Sequence, residues 1–150
     1  MRIYFAGPLF TTGERDFNTA LADRVRGAGH DVWLPQDQEI NAYNPANIFR
    51  NDVDHVDWAE AVVGIMDGSD PDSGTAWEIG YAYAKGMPII LLRTDFREWG
   101  GRTGDAPYNL MLTESATEHI ELHAPTVDEA GAAVIEALAR VRLPATDAPG

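Results

Sequence analysis

Apolar residues recur along this chain in two different rhythms, and the two alternate. Unbroken apolar runs of four to six residues read as buried strands, while stretches with apolar side chains at i, i+4 and i+8 read as amphipathic helices. Residues 2–6 form a first strand run, broken by Gly7-Pro8. Thr11-x-x-Glu14 has the form of a capping box, and Phe17, Leu21 and Val25 then share one helix face until Gly27 and Gly29 end it. Residues 31–35 make a short second strand, and the polar stretch 36–43 reads as irregular. Asn44-Pro45 suits a cap followed by a first helical turn, predicting a helix to about residue 60 with Ile48, Val53 and Val56 inward. The run 61–66 is a third strand, ending in Asp67. A helix over 74–85 follows, with Gly86 just past its end. Residues 88–92 are continuously apolar, as in the middle of a parallel sheet. The stretch 94–107 lacks periodicity and reads as a long loop, of the kind that is functional or mobile. Residues 119–122 suit an edge strand. Thr126-x-x-Glu129 opens a last helix that presents Ala133, Ile135, Leu138 and Val141 inward.

Five strands alternating with helices predict an α/β fold: a doubly wound parallel sheet with right-handed crossovers, in the flavodoxin-like order 2-1-3-4-5. No repeat or second hydrophobic set appears, so residues 1–142 are expected to form a single domain, with 143–150 a polar tail. In that order strands one and three are neighbours where the winding reverses. The turn at Gly7-Pro8 then lies beside the loop at Asp72, at the carboxyl ends of the strands where open α/β sheets bind ligands.

Composition narrows the function classes. With 150 residues the chain is long enough for one substantial core. It has no cysteine, which excludes disulfides, thiolate metal sites and a cysteine nucleophile. No apolar run approaches the length of a membrane span, and the first residues enter a strand directly, so no leader and no membrane partner are expected and the cytoplasm is the expected location. The 24 acidic and 11 basic residues give a net charge of −13. Lys85 is the only lysine, and the acids are spread along the whole chain. No basic footprint for nucleic acid exists in such a sequence. An acidic, lysine-poor surface is the composition expected of a protein from a high-salt cytoplasm, the alternative being a merely acidic mesophilic protein.

The candidate chemistry centres on Asp72-Ser73-Gly74-Thr75-Ala76-Trp77-Glu78-Ile79-Gly80-Tyr81-Ala82. Two carboxylates six residues apart flank a helix start, and helical side chains lean toward the N-terminus, so Glu78 is expected to point into the crevice that Asp72 borders. Asp72 is also an ordinary helix cap. Glu78 stands among small and apolar residues, where a carboxylate is costly unless it serves a pocket. Paired carboxylates of this kind suit chemistry on an electrophilic, hydroxylated substrate such as a sugar. The first turn carries one glycine rather than G-x-G-x-x-G, and no phosphate loop is present, so no cofactor is expected. His119 and His123 lack a third donor and read as surface or satisfied histidines, with no metal expected. Asp54 and Asp57 read as a solvated helix face.

Taken in order, Tyr4-Phe5-Ala6-Gly7-Pro8-Leu9-Phe10, Leu34-Pro35-Gln36, Asn51-Asp52, Asp67-Gly68, the Asp72–Glu78 segment and Asn109-Leu110-Met111 resemble the nucleoside 2-deoxyribosyltransferases over roughly residues 2–113. The resemblance implies an enzyme of nucleoside salvage acting on 2′-deoxynucleosides and free nucleobases. Glu78 would be the nucleophile at C1′, kept ionised with help from the helix N-terminus, and Tyr4 would hold its second oxygen. Asp52 would exchange a proton with the base, which requires a raised pKa. Asp72 and the Gly7 turn would seat the sugar. Gln36 would meet the base edge, with Gln38 close enough to compete for that role. Asn109 and Met111 would complete the sugar pocket of a neighbouring subunit, implying a homo-oligomer with shared sites. Two other readings use the same crevice. One is a 2′-deoxynucleoside 5′-monophosphate N-glycosidase, which the apolar turn Pro8-Leu9-Phe10 suits poorly because it offers no donors for a phosphate. The other is a noncatalytic nucleotide-binding sensor domain.

Overall fold

Residues 1–38, 44–95 and 107–141 are described by the computed structural model of the chain. The elements are β1 (Arg2–Ala6), α1 (Thr12–Gly27), β2 (Asp31–Trp33), a 3₁₀ turn (Pro35–Asp37), α2 (Pro45–Trp58), β3 (Ala61–Ile65), α3 (Ser73–Ala84), β4 (Ile89–Arg93), α4 (Leu110–Thr113), β5 (Glu118–Glu121) and α5 (Val127–Arg140). The strands lie in the order β2-β1-β3-β4-β5, and every pairing is parallel. This is the doubly wound five-stranded α/β sheet that the sequence pattern predicts.

Alternation along each strand divides the core in two. Ile3, Phe5, Val63, Ile65, Ile90 and Leu92 face α1 and α5, where Leu21, Val25, Val134 and Leu138 meet them. Tyr4, Ala6, Val62, Met66 and Leu91 face α2 and α3, where Val56, Ile79 and Ala82 meet them. Both capping boxes form, Thr11 with Glu14 and Thr126 with Glu129. Gly86 has a φ of 68°, the left-handed geometry of a helix terminator. Asn44 caps α2 by accepting from the Ala46 and Asn47 amides.

Several boundaries and faces differ from expectation. The second strand stops at Trp33 because Pro35 opens the 3₁₀ turn rather than extending the ladder. Of the three α2 residues expected inward, only Val56 is fully buried; Ile48 and Val53 are half-buried at the flank. In α5 the buried stripe is Ala130, Val134, Ala137 and Leu138, while Ala133, Ile135 and Val141 lie at its margin. That helix packs on α1 as well as on the sheet, and at Gly131 an added Cβ would meet the Arg24 Cβ at 2.9 Å. Strand four runs one residue further than expected, to a buried Arg93. Its guanidinium donates to the Met66 and Gly68 carbonyls at 2.6 and 3.0 Å and lies over the Tyr108 ring. The short helix α4 has no periodic signal to predict it. The proposed domain boundary at 142/143 and most of the loops 36–43 and 94–107 lie outside the described residues. No helix among the described residues is long and apolar enough to cross a membrane.

Candidate active site

Strand β1 and helix α3 build the centre of the site. Tyr4 sits on the α2/α3 face of the sheet, fully buried, and its hydroxyl donates to Glu78 Oε1 at 2.7 Å. Glycine at position 64 on the neighbouring strand permits this approach. A Cβ there would lie 2.8 Å from Ile79 Cδ1 and 2.9 Å from both Leu91 Cδ2 and Met66 Cε, so α3 could not rest as closely on the sheet. Burial pushes the Tyr4 phenol far above its ordinary value, and the negative charges of Glu78 and Asp52 push the same way. Tyr4 is therefore a fixed donor at any working pH.

Glu78 is partly buried, and its carboxyl is pushed up to about 7 from its ordinary 4.5. Desolvation is the largest cause. The Tyr4 hydrogen bond opposes it, while the charges of Asp52 and Asp72 add to it. The expectation that the helix N-terminus holds Glu78 ionised is not met. Glu78 is the sixth residue of α3, beyond the first turn where unpaired amides and the helix dipole act. Asp72 takes that position instead. It is the N-cap, accepting from the Thr75 amide at 2.9 Å and the Thr75 hydroxyl at 3.2 Å through the same oxygen, Oδ2.

Helix α2 brings the second acid. Asp52 lies close enough to Tyr4 and Glu78 for its charge to raise both of their pKa values. Burial raises its own pKa above the usual carboxylate range, against a hydrogen bond from Gln38 and the nearby charge of His55. Gln38 Nε2 donates to Asp52 Oδ1 at 2.5 Å, and Gln38 Oε1 accepts from Asn51 Nδ2 at 2.6 Å. The amide of Gln38 is thus aligned between two consecutive residues of α2. Sequence reasoning left Gln36 and Gln38 in competition, and the geometry separates them. Gln36 Nε2 donates to the Arg15 carbonyl (2.7 Å) and the Thr19 hydroxyl (2.9 Å), and its Oε1 accepts from Asn18 (3.1 Å). Its amide is consumed in bracing α1, away from Asp52, because Asn18 also holds the Pro8 carbonyl of the first turn.

Gly7 packs that turn against the end of β3: a Cβ there would approach the Ile65 Cβ to 3.1 Å. Asn109 caps α4 through the Met111 amide at 2.9 Å, and Met111 is exposed. Both line a groove of about 620 Å³ with Pro71, Ser73, Ala76, Gly80 and Tyr83, on the flank of α3 that faces α4. Glu78 is not in that groove. It lies toward the opposite flank, where Trp77 and Tyr81 meet α2 through Phe49 and Asp57. Asn109 and Met111 are therefore apart from the Tyr4–Glu78–Asp52 cluster. Tyr81 and Lys85 both bond to Asp57, so that acid is an anchor between α2 and α3 rather than a bare solvated face. His119 Nε2 pairs with the Tyr108 hydroxyl at 2.5 Å, and His123 is exposed. Among the described residues, no three His, Asp or Glu side chains gather as a metal site requires.

Residues that sequence reading missed are Asn51 as a partner of Gln38, and the flat stack of His55 on Trp33 at 3.4 Å. The only available signal was the adjacency of Asn51 to Asp52, and the spacing of Asp52 and His55 on one side of a helix.

Comparison with known proteins bears on the fold and the family. The chain is similar to a 2-deoxyribosyltransferase from the psychrotolerant bacterium Bacillus psychrosaccharolyticus, with 28% identity and a TM-score of 0.68 over 87% of this chain and 90% of the other. It is similar to a 2-deoxyribosyltransferase from Leishmania mexicana, with 27% identity and a TM-score of 0.65 over 90% and 97%. A CMP N-glycosidase from Clostridium botulinum shares the fold at 20% identity and a TM-score of 0.61, over 93% and 98%. The family model for nucleoside 2-deoxyribosyltransferase matches residues 3–111. That span contains β1 with Tyr4, α2 with Asp52 and α3 with Glu78, and the chain belongs to the nucleoside 2-deoxyribosyltransferase family.

Proposed function

We propose that this enzyme transfers 2-deoxyribose between nucleobases through a covalent ester on Glu78. The observation that carries the reading is the 2.7 Å hydrogen bond from the buried Tyr4 hydroxyl to Glu78 Oε1, with Asp52 close by. Tyr4 fixes one carboxylate oxygen and leaves Oε2 for attack. Glu78 Oε2 forms a bond to C1′ as the C1′–N bond breaks, and the electron pair of that bond passes to the base nitrogen. Asp52, whose pKa is raised by burial, supplies the proton that the departing base needs. A second base then attacks C1′ from the vacated face and gives its proton to Asp52. The ester C–O bond breaks with its electrons returning to Glu78. Two inversions leave the configuration retained, as in retaining glycosidases.

Gln38, rather than Gln36, stands with Asp52 on the base side, since Asn51 orients its amide. Asp72 and the Gly7 turn border the sugar. Asn109 and Met111 serve a neighbouring subunit, which accounts for their place on the far flank of α3 and makes a homo-oligomer the working form. The substrate is an unphosphorylated nucleoside. Pro8-Leu9-Phe10 offers no charged donor, and the Asp70 and Asp72 carboxylates would repel a 5′-phosphate.

Incubation of deoxyinosine with adenine, and of thymidine with adenine, followed by HPLC, tests transfer and base preference together. Mass spectrometry of protein quenched with excess deoxynucleoside tests the intermediate, with an added deoxyribosyl mass on the Glu78 peptide expected. Release of base from a 5′-monophosphate alone, with no exchange product from nucleosides, would favour the glycosidase. Absence of any adduct or product would favour a binding domain.

A further inference from the structure

Asp52 can act on a base only if α2 holds it in place, yet Val56 is the one buried side chain among the fourteen residues of that helix. Apolar burial is therefore a weak anchor, and the position of the helix must depend on specific contacts. One lies a turn beyond Asp52. The His55 ring is stacked on the Trp33 indole with centroids 3.4 Å apart and planes 7° from parallel. Trp33 pairs in register with Tyr4 on β1, so the stack ties α2 to the row of the sheet that carries the Tyr4 hydroxyl. A second bond sets the ring's rotation. His55 Nδ1 lies 2.7 Å from the Asn51 carbonyl oxygen. A carbonyl only accepts, so Nδ1 carries a proton in the neutral ring and in the cation alike. His55 thus grips both the sheet and the turn that presents Asn51 and Asp52.

We propose that His55 is a positioning residue for Asp52, its ring clamped between Trp33 and the Asn51 carbonyl so that the Asn51–Gln38–Asp52 bonds are held opposite Tyr4 and Glu78. The proposal rests on the reading of Asp52 as the acid for the base. It also carries an electrostatic consequence. Asp52 is faced by Tyr4 from β1, Glu78 from α3 and Gln38 from the loop before α2, none of them cationic, with His55 on its own helix. Around His55 itself stand Trp58, Arg26 of α1, and His30 and Asp31 at β2. The charge of His55 lowers the pKa of Asp52, against the desolvation that raises it.

The test compares the full-length wild-type protein with His55→Phe and His55→Ala. Three readouts are used: thermal melts, transfer kinetics across pH, and carbon NMR titration of the Asp52 carboxyl, assigned with Asp52→Asn. His55→Ala is expected to lower kcat roughly tenfold to a hundredfold with KM little changed, the cost of a small misplacement of a reacting group. His55→Phe keeps a flat ring on Trp33 but loses the bond to the Asn51 carbonyl, so it should recover part of kcat. Both variants should titrate Asp52 at higher pH than wild type, because the cation is gone. The Phe variant keeps the proposal testable if the Ala variant does not fold. An Asp52 titration curve in His55→Phe that superimposes on wild type, or an unchanged kcat in folded His55→Ala, would overturn it. If wild type shows no transfer while Asp52 still titrates higher in His55→Phe, the functional reading fails and the coupling of His55 to Asp52 stands.

Discussion

Replacing Glu78 by Gln should make the protein more stable above neutral pH while removing its activity. Gln is isosteric and can still accept from the Tyr4 hydroxyl, so the bond at 2.7 Å has a partner in both proteins. The difference is the charge. In the folded protein the Glu78 pKa is about 7, against an ordinary value of 4.5. A carboxyl raised on folding binds its proton more tightly in the native state than in the unfolded chain between those two values. Stability therefore falls as pH rises through that window, by about 1.4 kcal/mol per unit. Wild type should lag the Gln variant by less than about 1 kcal/mol near pH 5 and by up to about 3 kcal/mol near pH 8. For a domain of this size the larger gap corresponds to a difference in Tm of roughly 6–12 °C. Urea or thermal unfolding of both proteins at several pH values measures it directly, with no substrate needed. A gap that is constant with pH, or one that closes as pH rises, would show that desolvation of Glu78 does not dominate its energetics. The site would then not be holding its nucleophile at a cost to the fold.

Three other outcomes follow from the same geometry. Tyr4→Phe removes the donor that favours ionised Glu78, worth roughly 1.5–3 kcal/mol for a bond to a charged group. The acid limb of kcat/KM should move up by about one to two pH units, and a mutant-to-wild-type ratio independent of pH would refute this. Gly64→Ala places a Cβ 2.8 Å from Ile79 Cδ1 and 2.9 Å from Leu91 Cδ2 in a filled core. Denaturant titration should show a loss of about 1–3 kcal/mol, with activity falling as α3 shifts from Tyr4. Raising NaCl from about 0.1 to 1 M shortens the Debye length from ~10 to ~3 Å, which should raise Tm, oligomer fraction and transfer rate together for a chain of net charge −13. Full assembly and full activity at low salt, read by light scattering and HPLC, would make the acidic surface a matter of solubility alone.

Local chemistry by itself determined most of the scaffold. Thr11 with Glu14 and Thr126 with Glu129 are self-contained capping devices, and Gly86 ends a helix wherever its neighbours lie. Short continuous apolar runs at β3 and β4, bounded by turn residues, suit strands covered on both faces, and their alternation with helices leaves few topologies open. The Tyr4–Glu78 pairing was anticipated only through the family resemblance, and the adjacency of β1 and β3 is what brings the two side chains together. What only the tertiary structure decided is the state and direction of the polar side chains. Gln36 and Gln38 are two residues apart and chemically identical. The first is taken up by Asn18, Arg15 and Thr19 on α1, the second by Asn51 and Asp52 on α2, and no local signal distinguishes those partners. The buried face of α5 keeps helical spacing at Ala130, Val134, Ala137 and Leu138, and packing against α1 and the sheet decided which of its apolar residues turn inward. The pKa of Glu78 is raised rather than held low for a similar reason. A helix start favours an ionised carboxylate only within its first turn, while the desolvation that outweighs it comes from the sheet and from α2, which lie far away in sequence.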